Sequence, residues 1–465
     1  RIIVSLKNFS KFENIFFKYS KIRSLSKKWL KKNWENIPFP LPINFYKNTL
    51  TANFRQLFYV LLNNYWKSNK LFFCSNSSRR GVNLIGHFRH NLGIGEDART
   101  IYNALKEMNI PINLIEYSPV HLNERLDKRI YFDSSNKRIF NTTIICLSAE
   151  QTINFILDFG KCFFNYSYTI AYFPWELPNW PKRWLQVFNY VDEFWASTEF
   201  IKKSLTNNTY KPVKIMPLPV NQKLKHVKNI KTYIKKLSKN FWRQKYKIPK
   251  NDFVFIIFCD SLSSFNRKNL IEGILSFQGA FPNFYEINDK AIPKTHLIIK
   301  IMNSDEKDPN WKFIKSIVDF DRRIHIIDSI LDKDNLRNLL SSVDALISLH
   351  RSEGFGRTIV ESLQLGKKVI ATNWSGIAEE IECQLFYPVD YKLIKLAPYD
   401  YVSWANQYWA QPIYESAVKT LLKARFDKPL TKELKDNIIY NFNKDFSSIS
   451  CGKRYSKRLK ILGLI

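Results

Sequence analysis

From Gly81 onward, short apolar runs alternate with longer stretches whose apolar residues recur every three or four positions. Val82–Gly86 is the first run, Asn91-Leu-Gly-Ile-Gly95 reads as a turn, and Glu96–Met108 has helical periodicity. Ile112–Ile115, Thr143–Leu147 and Tyr168–Phe173 repeat the pattern, and Val213–Met216 with Pro217-Leu-Pro219 closes the round. The runs are β-branched and lack polar alternation, as expected of parallel strands covered on both faces. A second round begins at Phe253–Phe258 and continues through His296–Ile301, Arg323–Ile327, Asp344–Ser348 and Lys368–Ala371. Two successive sets of strand–helix units predict two doubly wound, Rossmann-like α/β domains. Ligands of such domains bind at the carboxyl ends of the strands, so the cleft between the two is the predicted site.

The rhythm also sets boundaries within the 465 residues. Residues 1–80 read as a basic helical extension, 81–222 as the first domain and 223–250 as a basic connecting segment. Residues 251–440 read as the second domain, and 441–465 as a closing helix that packs back on the first. In the extension, Lys21–Trp34 sets Ile22, Leu25 and Trp29 at helical spacing among Lys27, Lys28, Lys31 and Lys32. Such a helix fits a membrane interface, and equally fits packing on the following domain. Pro38, Pro40 and Pro42 then break the pattern.

Charge changes the picture by location more than by total. The net charge of +31 favours an anionic partner, either nucleic acid, an anionic membrane surface or phosphorylated substrates. The abundance of Lys, Asn, Ile and Phe is also what AT-rich coding would produce. Residues 1–80 hold 16 Lys/Arg against Glu13 and Glu35, and Lys223–Lys250 holds 11 with no acid. These residues follow no nucleic-acid-binding motif, so no nucleic acid is expected as partner. The six cysteines are scattered, without a CxxC pair or histidine clustering, which argues for a reducing compartment and against a zinc site or disulfide framework. No apolar run approaches the ~18 residues of a spanning helix. No leader pattern is visible, and the start at Arg1 is compatible with a segment upstream. A cytoplasmic protein is expected, peripheral at the inner membrane face if the extension binds lipid.

Two constellations carry chemistry. Gly93-Ile-Gly95-Glu-Asp-Ala98 fits G-x-G-x-x-A between a strand and a helix, and Glu116 ends the next strand. That is the dinucleotide fingerprint in its expected context, so an NAD-type oxidoreductase is one reading. The shared physics is a phosphate approached by backbone N–H groups at a helix N-terminus. In the second domain, the strand Asp344–Ser348 leads into His350-Arg-Ser-Glu353-Gly-Phe-Gly356, followed by a predicted helix Arg357–Leu365. Seven residues separate Glu353 from Glu361, one in the loop and one two turns into the helix, so both can face one cleft. Paired carboxylates suit the vicinal hydroxyls of a nucleotide sugar, and the glycine turn between them suits a diphosphate.

The run Glu353-Gly-Phe-Gly-Arg-Thr-Ile-Val-Glu361, with Leu365-Gly-Lys-Lys-Val-Ile-Ala-Thr-Asn-Trp-Ser-Gly376 after it, resembles the E-x7-E signature of retaining GT-B glycosyltransferases, closest to family 4. Asp260–Phe277 with Arg267 and Lys268, the Gly93–Arg99 loop, Phe173-Pro-Trp-Glu176 and Trp195-Ala-Ser-Thr198 are similar to further segments of bacterial polysaccharide members. The resemblance implies that Glu361 holds the nucleotide ribose and Glu353 a donor-sugar hydroxyl. It implies that Gly354, Phe355, Gly356, Arg357 and Thr358 line the diphosphate and sugar, and that Arg267 and Lys268 neutralise the leaving diphosphate. Gly93 and Gly95 would close over the phosphates. Lys300 is a further donor-binding candidate, with an ordinary exposed lysine as the alternative. The implied reaction moves a sugar from a nucleotide sugar, as co-substrate, to a glycan or lipid-linked acceptor with retention. It needs no metal and no other cofactor. One departure is Ser148-Ala-Glu150, where the family often presents a histidine; His87 and His90 are candidates to replace it. A sugar-nucleotide epimerase and a nucleic-acid-binding protein stand as alternatives beside the oxidoreductase.

Overall fold

The computed structural model describes residues 79–118, 137–220, 241–282 and 294–465. The expectations for residues 1–78 and for most of the basic connector lie outside the described residues. Two six-stranded parallel sheets carry the architecture, each with helices in its crossovers, in two Rossmann-like domains. The first sheet comprises β1 (Val82–Gly86), β2 (Ile112–Glu116), β3 (Thr142–Cys146), β4 (Tyr168–Ala171), β5 (Glu193–Ala196) and β6 (Val213–Ile215), in the order β2-β1-β3-β4-β5-β6. Helix α1 (Gly93–Glu107) follows β1, α2 (Ala149–Phe159) follows β3 and α3 (Glu199–Thr206) follows β5. Glu150–Tyr166 belongs to a compact unit separate from the two sheets, in which the rings of Phe155, Phe159, Phe163 and Phe164 pack on one another.

The second sheet comprises β7 (Phe253–Asp260), β8 (Thr295–Met302), β9 (Ile324–Asp328), β10 (Ala345–Ser348), β11 (Lys368–Thr372) and β12 (Phe386–Val389), in the order β12-β11-β10-β7-β8-β9. The direction of winding reverses between β7 and β10. A crevice opens at the carboxyl ends of the strands at such a switch point, and this is where the fold receives a ligand. After a short α4 (Phe241–Lys245), the helices are α5 (Phe265–Lys268), α6 (Leu270–Ala280), α7 (Pro309–Asp319), α8 (Lys333–Ser342), α9 (Arg357–Gln364) and α10 (Tyr414–Phe426). Local chemistry starts and stops them. Asp308 and Asp332 cap α7 and α8 with side-chain oxygens, Pro309 occupies the first turn of α7, and Gly366 leaves α9 with φ 64°. A two-stranded antiparallel arm, β13 (Tyr391–Lys395) and β14 (Tyr408–Pro412), follows the sheet. Two further helices, α11 (Lys432–Asp445) and α12 (Ser448–Ile461), end the chain.

Three features depart from the sequence pattern. Helix α1 starts at Gly93, so both glycines of the G-x-G lie in its first turn rather than in an open turn before it. A Cβ on Gly95 would fall 2.6 Å from the His87 carbonyl and 2.7 Å from that of His90, so the glycine lets the helix seat under its own loop. Strand β5 was not predicted because Glu193 breaks its apolar run. Glu193 is nevertheless fully buried, with Arg458 of α12 holding both carboxylate oxygens and Trp195 donating to Oε1 at 2.9 Å. Strand β12 escaped notice because Pro388 interrupts it, which only an edge strand tolerates, and β12 is an edge.

Helix α12 packs against α1 of the first domain. Tyr455 stacks on Trp195 with centroids 5.0 Å apart and donates to the Pro217 carbonyl at 2.7 Å. No described helix is long and apolar enough to cross a membrane. Gly452 faces the Ala104 carbonyl with no room for a side chain. Gly452→Leu should therefore lift α12 off α1 and destabilise the chain by about 1–3 kcal/mol, the usual penalty of overpacking. Urea unfolding followed by circular dichroism measures this as a lower midpoint with an unchanged slope.

Candidate active site

The switch point of the second sheet gathers charge from two directions. After β7 the chain makes the short helix α5, whose Ser264 cap receives the Arg267 N–H at 3.3 Å. This sets Arg267 and Lys268 at the mouth of the crevice. After β10, the loop 349–356 brings Glu353 to the same place. Lys268 Nζ lies 2.5 Å from Glu353 Oε1, and Arg267 Nη1 lies 3.3 Å from the same oxygen. Arg267 is buried and also donates to the Ser352 carbonyl at 2.7 Å and to the Ser263 carbonyl at 3.2 Å. Burial alone would push the Glu353 carboxyl up, but Lys268, Arg267 and His350 outweigh it and hold it at about 2. Burial opposes Arg267's charge as well, and Glu353 with Glu176 more than restores it, so the guanidinium sits above its ordinary range.

The loop is held from several sides. Glu353 N–H donates to Ser375 Oγ at 2.8 Å, and His350 spans Ser348 Oγ at 3.0 Å and the Trp374 carbonyl at 3.1 Å. The Gly354 carbonyl accepts Thr198 Oγ1 of the first domain at 2.8 Å, and a Cβ on Gly354 would meet the Trp175 carbonyl at 2.8 Å. Gly356 turns the chain into α9 with φ 90°, a conformation that L side chains rarely adopt. The first domain therefore presses directly on the Glu353 loop.

The carboxylate of Glu361, one helical turn beyond Arg357, makes no hydrogen bond among the described residues. Burial raises its carboxyl to about 7; Arg357 and Lys333 pull it down, and Glu96 pushes it up. Thr358 lies between them on α9, half-buried, its carbonyl taken by Ser362.

Three candidates are engaged elsewhere. Arg357 reaches Asp97 of α1 at 2.5 Å and the Pro219 carbonyl at 3.1 Å, so in this state it ties the domains together. The Phe355 ring is buried against Phe446, which leaves only its main chain to face a ligand. Lys300 is buried rather than exposed; its ammonium donates to the carbonyls of Ser329 at 2.5 Å and Ile301 at 2.9 Å, and burial lowers it to about 8. None of its hydrogen bonds reaches another candidate.

The first-domain motif resolves differently from its fingerprint. Gly93 opens to free space, while Glu96 and Asp97 fill the first turn of α1 with carboxylates bound to Lys333 at 2.7 Å and to Arg357. An incoming phosphate would meet that negative charge at the helix N-terminus. Glu116 accepts from Phe88 N–H at 2.9 Å, His90 Nδ1 at 3.1 Å and Ser118 Oγ at 3.3 Å. Its carboxylate therefore organises the loop after β1 instead of waiting for a ribose, which weakens the oxidoreductase reading. His87 and His90 are wholly buried in that loop.

Sequence reasoning missed Tyr401, whose ring lies 5.6 Å from the Arg267 guanidinium and whose hydroxyl donates to Glu176 at 3.1 Å. It sits in the β13–β14 arm, where no periodic signal marked an element. Asp97 lay inside the G-x-G motif but carried no signal of its own. Among the described residues no group of three metal-ligating side chains occurs.

Residues 322–386, which span the Glu353 loop, α9 and β11, match the family described as glycosyl transferases group 1. Solved structures share the whole two-domain arrangement. A glycosyltransferase from Rickettsia africae is 17% identical with a TM-score of 0.54, over 83% of this chain and 99% of that one. Anabaena HepE, determined in complex with UDP and glucose, is 12% identical with a TM-score of 0.53, over 82% and 100%. The sucrose-phosphate synthase of Thermosynechococcus elongatus is 13% identical with a TM-score of 0.57, over 83% and 99%. No curated protein sequence matches the chain. The fold is GT-B. By that fold and by its group 1 segment, the protein is of the glycosyltransferase class.

Stability should report the strained carboxyl of Glu361. Its folded-state value of about 7 exceeds the ordinary 4.5, so its contribution is intact below pH 4.5 and is lost as pH rises through 7. Glu361→Gln should thus match the parent near pH 4.5 and exceed it by about 1–3 kcal/mol above pH 7, at 1.36 kcal/mol per pKa unit. Urea midpoints measured across that window test it; parallel curves for the two proteins would show that Glu361 is not held near neutrality.

Proposed function

We propose that the protein transfers a sugar from a nucleotide-sugar donor to a glycan or lipid-linked acceptor, with retention of anomeric configuration. The observation that carries this reading is the convergence of Arg267 and Lys268 on Glu353 at the switch point, one helix away from the unpaired Glu361. The two cations are held before any donor arrives, so they need little reorganisation as charge grows on the departing diphosphate. Glu353, kept ionised, accepts a donor-sugar hydroxyl, and Glu361 accepts the ribose hydroxyls. That a related fold is seen with UDP and glucose in Anabaena HepE supports a nucleotide sugar as the co-substrate.

With two side-chain cations on the phosphates, the reaction proceeds without a divalent metal. Retention fits attack on the face the diphosphate leaves, with the departing phosphate taking the acceptor's proton. The basic residues 1–80 would hold the enzyme against anionic lipid at the cytoplasmic face, where a lipid-linked acceptor would be presented, as part of polysaccharide assembly.

Thermal shift against UDP-, GDP-, ADP- and dTDP-sugars should single out a stabilising donor, since a ligand of the native state raises apparent stability. With that donor saturating, Arg267→Ala combined with Lys268→Ala should lower the transfer rate about 100-fold or more, the scale of losing a group that stabilises developing charge. EDTA should leave the parent rate unchanged. An undiminished rate in the double variant, or a strict metal requirement, refutes this donor site. Separately, co-sedimentation with vesicles should require anionic lipid, weaken with salt and disappear when residues 1–80 are removed.

A further inference from the structure

We infer that Glu176 is an acceptor-binding residue, its carboxylate fixed across the domain seam by Tyr401 so that one oxygen receives a hydroxyl of the incoming acceptor. This rests on the reading of the site as a sugar-transfer centre and deepens it. Glu176 follows β4 and belongs to the first domain, yet its surroundings are those of the donor crevice. Its Oε2 accepts the Tyr401 hydroxyl at 3.1 Å, the Tyr401 ring lies over Arg267, and Arg267 reaches Glu353. The main-chain carbonyl of Glu176 accepts Ser352 Oγ, which precedes Glu353 in the chain.

The second oxygen is the informative one. Burial, and then the charge of Glu176, hold the Tyr401 phenol far above its ordinary range, so it stays protonated and donates a hydrogen bond to Oε2. Oε1 has no partner among the described residues, and Glu176 is only half-buried. A carboxylate with one oxygen satisfied and the other open is a directed acceptor for a hydroxyl, and such charge-assisted bonds are short and strong.

The loop that delivers Tyr401 is built with strain. Tyr399, Ser403 and Asn406 all take left-handed backbone angles, with φ of 70°, 56° and 59°. It is pinned at both ends. Asp400 bonds Asn266 at 3.2 Å beside Arg267, and Gln407 exchanges hydrogen bonds with the main chain of Asn179 at 3.1 and 2.6 Å. Backbone held this way, next to a charged centre, is the pattern of a ligand clamp.

Chemistry assigns the ligand. Glu353, Arg267 and Lys268 take the donor from the second-domain side, so the attacking hydroxyl approaches from the first. It must come within about 3–3.5 Å of the anomeric carbon in a fixed orientation. Glu176 supplies that orientation as a hydrogen-bond acceptor, while the transferred proton leaves on the departing phosphate.

Water can stand in for the acceptor, which removes the need to know it. The full-length chain is given the nucleotide sugar that stabilises it, and donor affinity by calorimetry is compared with nucleotide release at saturating donor. Glu176→Gln should keep the donor Kd within about twofold while release falls about tenfold or more, because only the hydrogen bond to the acceptor is lost. Tyr401→Phe should slow release less, since Glu176 remains but is no longer steered. Parent-like release in Glu176→Gln, or a Kd that weakens in step with the rate, overturns the inference and leaves Glu176 as a residue of the seam. Absence of donor binding or of release in the parent chain overturns the sugar-transfer reading itself.

Discussion

Glu353 is a carboxylate removed from water, and it remains ionised because Lys268 and Arg267 close on one of its oxygens. Most of the second domain's local architecture follows from that requirement. Burying an unpaired carboxylate would cost several kcal/mol, so the loop after β10 and the turn after β7 must arrive together. The turn is set by the Ser264 cap and by Asn269, which takes a left-handed conformation to start α6 directly behind Lys268. The loop is set by Ser375, by His350 and by glycines that admit close backbone approach. Gly376 shows the tightness: a Cβ there would lie 2.9 Å from the Phe355 carbonyl and 3.2 Å from that of Glu353.

The same cluster couples the domains. The backbone of the Glu353 loop is held by Thr198 and pressed by Trp175, and Arg357 and Lys333 are paired with Asp97 and Glu96 on α1. Arg357 and Lys333 are therefore engaged in ion pairs between the domains. The seam is thus held at two places, by Arg357 with Asp97 on α1 and by Tyr401 with Glu176 near Arg267.

The polar network around Glu193 shows the other use of buried charge. Arg458, on the last helix, satisfies a carboxylate on the fifth strand, and Tyr455 and Trp195 stack beside it. The contact is 265 residues long in sequence. It fastens the end of the chain to the first sheet and so closes the two-domain fold on itself.

The repeating rhythm of buried strands and amphipathic helices was open to reading from residue order alone, because a parallel strand covered on both faces has no polar alternation and a crossover helix has its own period. That was enough for two doubly wound domains, and the run from Glu353 to Glu361 around a glycine turn lies inside the segment that matches glycosyl transferases group 1. Elements with unusual surroundings were not legible: β5 holds a buried Glu193, β12 holds Pro388, and the β13–β14 arm is a two-stranded pair outside both six-stranded sheets. Nor could spacing tell that Gly95 serves a carbonyl contact, that Glu116 is consumed by its own loop, or that Arg357 reaches across to Asp97. Local pattern is written in neighbours along the chain and survives as sequence. Which partner a buried charge receives depends on groups distant along the chain, and only the folded chain brings them within hydrogen-bonding reach.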